Sequence, residues 1–149
     1  GSPVTLTYSF INLLDGSLVD AATGDPFAPG VLRGAFEAAF EDYARVLPIS
    51  FVEMADAGPP PESGPYDPAG LADIRIGQVP HIEGANAYAY FPASAAIGLG
   101  GDIVFNAKRF GADWTLLMFY AVAQHEIGHS LGMGHELPGD PPANPGAAA

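Results

Sequence analysis

The chain has 149 residues, 48% of them apolar and only 15% charged, a balance that suits one folded domain and excludes a largely disordered chain. Five basic residues stand against 17 acidic ones, a formal charge of −12, which disfavours a phosphate-binding surface and an anionic membrane face. There is no cysteine, so disulfides and thiolate metal sites are excluded, and any zinc must rest on imidazole or carboxylate.

Val4, Leu6, Tyr8 and Phe10 alternate with Thr5, Thr7 and Ser9, a period of two that predicts a strand with one buried face. Residues 12–30 carry Gly16, Gly24, Pro26, Pro29 and Gly30 and read as loop. From Val31 to Leu47 the apolar residues Leu32, Phe36, Ala39, Phe40, Tyr43 and Leu47 recur at helical spacing. That predicts an amphipathic helix closed by Pro48. Ile49 to Met54 suits a short strand. Pro59, Pro60, Pro61, Pro65 and Pro68 mark a surface excursion between Gly58 and Gly70. Ala72 to Gly77, with Ile74 and Ile76 inward, predicts a third strand. Ala85 to Phe91 predicts a fourth, stopped by Pro92. A turn at Gly100-Gly101-Asp102 leads into a fifth, Ile103 to Phe105. Asp113 can cap a helix from Trp114 to about Leu131, with Leu116, Tyr120, Ala123, Ile127 and Leu131 as its buried stripe. Trp114, Phe119 and Tyr120 read as core rather than as a binding box. No apolar run reaches the roughly 20 residues that span a bilayer. The element order predicts an α/β sandwich, a mixed sheet covered by two helices. The Tyr88 strand, stopped by proline, is expected at an edge.

The run His125-Glu126-Ile127-Gly128-His129-Ser130-Leu131-Gly132-Met133-Gly134-His135 holds three of the four histidines. It fits the pattern H-E-x-x-H-x-x-G-x-x-H. His125 and His129 stand one turn apart on one helix face, where two imidazoles can share a metal. A third ligand must approach from another direction. Gly132 can end the helix in a left-handed conformation, and Gly134 gives further freedom to bring His135 back to the ion. Three imidazoles leave a fourth position open, which marks a catalytic rather than a closed structural zinc site. Glu126 follows the first ligand, points to the side of the metal, and is the candidate general base. The bland alternatives are a core helix with incidental histidines and a non-catalytic zinc site, neither of which needs Glu126. His81 lies outside any ligand spacing and reads as a surface or packing residue. Glu136 reads as a solvated acid.

With this run the chain resembles the metzincins, and within them the serralysin-like and matrixin branch. Ala87-Tyr88-Ala89-Tyr90-Phe91-Pro92 looks like the family's edge strand above the cleft. Gly100-Gly101-Asp102-Ile103-Val104-Phe105-Asn106 looks like its following strand. Leu6 to Phe10 and the helix ending near Leu47 sit where the family places its first strand and helix. Pro138 to Pro145 is similar to the loop after the third ligand in serralysin-like proteins. The resemblance implies a five-stranded sheet with an antiparallel edge strand, and a zinc site at the end of the second helix. It implies Ala87, Tyr88, Ala89 and Tyr90 as substrate-binding residues, zinc as cofactor with calcium as a second candidate, and a secreted bacterial protein. No loop here has calcium-ligand spacing. The family's methionine turn has no counterpart after the motif, since the only nearby methionine is Met133, inside it. The expectation is a single catalytic domain over 1–149 without that turn, with 136–149 as an extended tail.

The function expected is a zinc metalloendopeptidase that hydrolyses internal peptide bonds of extended substrates. Glu126 would take a proton from water and deliver it to the leaving amine, and the substrate would pair with the Ala85 to Phe91 strand. The missing methionine turn motivates an alternative, a domain that binds zinc and peptide without turnover. A structural zinc module and a zinc hydrolase of non-peptide amides or esters remain as further alternatives. Protein or peptide is the expected partner, and neither nucleic acid nor membrane is.

Overall fold

A computed structural model describes residues 4–92, 98–108 and 112–134. They form β1 (Val4–Phe10), α1 (Pro29–Ala44), β2 (Ile49–Glu53), β3 (Ile74–Val79), β4 (Ala87–Ala89), β5 (Ile103–Asn106) and α2 (Leu116–Ser130). The expected third ligand His135, Glu136 and the tail to Ala149 lie outside the described residues.

The strands form one five-stranded sheet in the order β2-β1-β3-β5-β4. β1 runs parallel to β2 and β3, and β3 parallel to β5, while β4 pairs antiparallel with β5. The mixed sheet, its two helices and its antiparallel edge strand match the expected α/β architecture. Parallel neighbours cannot be joined by a tight turn, and α1 provides the crossover from β1 to β2. Residues in register share a face. Tyr8 opposite Ile74, Ile76 opposite Ile103 and Ala87 opposite Phe105 therefore build one apolar side. α1 lays Leu32, Phe36, Ala39 and Phe40 on it, and α2 adds Phe119, Ala123 and Ile127. Phe36 meets Phe105 and Phe119 edge-on at 5.8 and 5.6 Å. One ring thus ties both helices to the sheet.

The helix boundaries differ from expectation. α1 starts at Pro29, where proline's missing N–H costs nothing, and stops at Ala44, short of Leu47. α2 is capped by Thr115, whose hydroxyl accepts from the Met118 N–H at 3.2 Å. Asp113 is two residues too early to reach that N–H. Trp114 precedes the helix, fully buried, and its indole N–H donates to the Asn106 carbonyl at 2.9 Å. The buried stripe is Phe119-Ala123-Ile127. Leu116 is 44% exposed, and Tyr120 is only partly buried, its hydroxyl donating to Asp42.

The far side of the sheet is also covered, which alternation in β1 does not predict. Ser9 is fully buried and donates to Asp56 Oδ2 at 2.7 Å. Arg75, equally buried, donates from Nε and Nη2 to the two Asp56 oxygens at 2.8 Å each, and stacks on the Tyr66 ring at 4.9 Å. The Arg75 hydrogen bonds hold the Asp56 carboxyl down to about 2. Gly77 lets Pro61 lie directly on β3, since a Cβ there would come within 2.3 Å of Pro61 Cγ. The proline-rich excursion is thus a packed second layer.

Candidate metal centre

α2 ends in a glycine cap. Gly132 has φ +97°, its N–H donates to the His129 carbonyl at 2.9 Å, and the Met133 N–H donates to the Gly128 carbonyl at 2.9 Å. This pair of bonds is the Schellman arrangement. The reversal brings the Met133 carbonyl to His129, whose Nδ1 donates to it at 2.6 Å. A carbonyl only accepts, so Nδ1 is the donor, and in the neutral imidazole the lone pair is then on Nε2. That lone pair is turned toward His125. The two Nε2 atoms are 2.9 Å apart, and the rings stand perpendicular with centroids 4.5 Å apart. Phe91 supports His129 edge-on at 5.6 Å.

Glu126 is buried, and its Oε1 has no hydrogen-bond partner among the described residues. Burial pushes its carboxyl up to about 8. An orphaned buried oxygen costs about 1–3 kcal/mol, which a ligand or a proton can relieve. The ligand atoms of His125, Glu126 and His129 lie within 4.8 Å of one another. Converging imidazole nitrogens beside an unpaired carboxyl oxygen fit a divalent transition metal, and in a cysteine-free chain that set suits zinc.

Two contacts hold the helix in place. Tyr43 of α1 donates its hydroxyl to the Gln124 carbonyl at 2.7 Å, one residue ahead of His125. Gly128 makes room for it, since a Cβ there would come within 2.8 Å of that hydroxyl. Ser130 donates to the Gly101 carbonyl at 2.9 Å and pins the last turn to the approach of β5.

His125 is exposed, at a cleft of about 260 Å³ between α2 and the segment Gly84–Ala87. On either side of β4 the Asn86 carbonyl accepts from the Asn106 N–H at 2.8 Å, and the Tyr90 N–H donates to the Asp102 carbonyl at 2.9 Å. Antiparallel alternation then turns the main-chain groups of Ala87 and Ala89 away from β5, to the sheet's outer edge. Tyr88 and Tyr90 stack edge-to-face at 5.7 Å.

Of the residues singled out from sequence, His125, Glu126 and His129 come together here. Of the four expected on the edge strand, Ala87 and Ala89 present main chain outward. His81 is exposed and pairs with Glu83 at 3.1 Å. The Met133 carbonyl was not legible in advance, because a main-chain atom has no letter. Gly132 beside it was the available signal.

Gly132→Ala should cost about 1–2 kcal/mol of folding free energy, because an L-residue is strained at positive φ. By displacing the Met133 carbonyl it should also lower zinc affinity about 10–100-fold. Zinc titration calorimetry with denaturant unfolding checks both, and unchanged affinity would separate the cap from the metal site.

The family profile of the M10 peptidases described as matrixin matches residues 18–139. Interstitial collagenase of Oryctolagus cuniculus is 32% identical over 112 residues, covering 68% of this chain and 20% of that protein. Matrix metalloproteinase-16 of Homo sapiens is 31% identical over 147 residues, covering 87% and 21%. Metalloendoproteinase 4-MMP of Arabidopsis thaliana is 27% identical over 150 residues, covering 89% and 36%. The chain thus spans well under half the length of these relatives. The solved structure of myroilysin superposes with a TM-score of 0.53 at 17% identity, over 91% of this chain and 50% of that one, which shows a shared fold. With the family match running from the loop after β1 through α2, this chain belongs to the matrixin family, whose members are zinc metalloendopeptidases.

Proposed function

We propose that this chain is the zinc- and substrate-binding part of an endopeptidase that hydrolyses internal peptide bonds of extended proteins. One observation carries the reading. A buried carboxyl with an orphaned oxygen lies beside two imidazole nitrogens converging at 2.9 Å, on a cleft bordered by the edge strand β4. A closed structural site has no use for such a carboxyl or for an open cleft.

His125 and His129 would hold zinc, and His135 would complete the set, as the spacing of the motif implies. When bound, zinc supplies Lewis acidity toward the scissile carbonyl and makes water more acidic. Glu126 takes the proton of the attacking water and passes it to the leaving amine. The outward main chain of Ala87 and Ala89 pairs with the substrate as an added strand, which selects an extended peptide. Action outside the cell agrees with the family resemblance, and no described helix is long and apolar enough to cross a membrane.

Cleavage of casein or a quenched fluorescent peptide by the zinc-loaded chain tests this reading. Cleavage should stop with a chelator and return with zinc. Peptide binding without cleavage would favour the alternative, a domain that binds zinc and peptide but does not turn over.

A further inference from the structure

Beside the edge strand, on the side of the sheet away from the helices, stands an exposed carboxylate. Ala87 and Ala89 are buried in the core that α1 and α2 cover, so Tyr88 and Tyr90 alternate to the opposite face. There the two rings pack edge-to-face at 5.7 Å, each half-buried. The proline-rich layer reaches them through Glu62, whose Oε1 accepts from the Tyr90 hydroxyl at 3.5 Å. Glu62 is exposed, and among the described residues it is the only non-glycine with a positive φ, 65°. Its Cβ makes that conformation unfavourable, and Gly, Asn or Asp would serve a plain turn better. The turn is held without the Glu62 side chain. Ser63 donates its hydroxyl to the Pro60 carbonyl at 2.7 Å, and Pro61 rests on Gly77. Backbone strain of this kind clusters where ligands are held. No cationic side chain pairs with Glu62 among the described residues. Arg75, beneath the same layer, is buried and paired with Asp56.

We propose that Glu62 is a specificity-determining residue that takes a cationic side chain, Lys or Arg, from a substrate strand laid along β4. This rests on the endopeptidase reading above. A strand added to the sheet lies about 4.8 Å from β4 and alternates its side chains as β4 does. Substrate residues in register with Ala87 and Ala89 turn their side chains toward α2. The residue in register with Tyr88, and those two positions away, turn theirs to the tyrosine face, where Glu62 stands. A Lys or Arg there can lay its methylene stem on the tyrosine rings, set its charge against the face of a ring and reach the carboxylate. A neutral side chain of similar length keeps only the stem contact, and an acidic one meets like charge.

The test uses the zinc-loaded chain carrying Glu126→Gln, so that peptide is bound and not cut. Fluorescent peptides of one neutral, extended sequence carry a single Lys, Gln or Glu, and that position is moved along the peptide. At low salt Lys should bind about 5–10-fold more tightly than Gln at alternate positions only, the combined effect of an exposed ion pair and a cation–π contact. The preference should shrink at high salt and vanish in Glu62→Gln. In Glu62→Lys the same positions should favour Glu, with thermal unfolding showing both variants folded. A chain of charge −12 attracts Lys at any position. A Lys preference equal at all positions, one that survives Glu62→Gln, or no preference at all therefore overturns the role of Glu62 and leaves the endopeptidase reading standing. No binding of any peptide overturns both.

Discussion

Replacing Glu126 by Gln should lower kcat/KM on a peptide substrate by about 10²–10⁴-fold, the usual contribution of a general acid–base group, and leave zinc bound. The amide matches the carboxyl in shape and fits the same buried space, yet it cannot accept a proton. The two Nε2 atoms are untouched by the change. Steady-state kinetics beside metal analysis by mass spectrometry separate the outcomes. If zinc is lost with activity, Glu126 is a ligand rather than a base. If activity stays normal, it is neither.

Asp56→Ala should destabilise the fold by about 3–5 kcal/mol, because it strips a buried charge of its counterion. The Arg75 and Asp56 side chains are only 1% and 6% exposed. Without the carboxylate, Arg75 keeps the Pro59 carbonyl and the Tyr66 ring. The exposed pair Arg33–Glu53, at 42% and 34%, should matter far less, by about 0–1 kcal/mol. The pair also sets an acid limit. Asp56 is held at about 2 against an ordinary 3.8. A lowered folded-state pKa means that its stabilisation is complete above 3.8 and is lost as pH falls toward 2. Urea midpoints measured from pH 5 downward should show that loss in the wild type, and Asp56→Asn should lack this component. Identical acid profiles would remove Asp56 from the account of stability. β3 carries Arg75 and pairs with β5, to which the edge strand β4 is hydrogen-bonded in turn.

Sequence patterns predicted most of one face of the sheet and little of the other. Tyr8, Ile74, Ile76, Ile103 and Phe105 alternate as half-buried strand residues should, and the helical spacing of Leu32, Phe36 and Phe40 names the face of α1. Ser9 and Arg75 are polar and fall on positions that read as outward. Their burial depends on a proline-rich segment with no periodicity of its own, and on an ion pair across 19 residues. At α2, Asp113 and Thr115 are both capping residues, and only the path of the chain around the buried Trp114 chooses between them. The zinc motif was legible because four residues make about one helical turn.

Zinc titration of the metal-free chain, read by X-ray absorption at the zinc edge, tests most directly whether His125 and His129 share an ion. The expected result is one zinc per chain with imidazole nitrogens at roughly 2.0–2.1 Å, and loss of that site in His129→Ala. A chain that takes up no stoichiometric zinc, or whose zinc site survives His129→Ala unchanged, would contradict it.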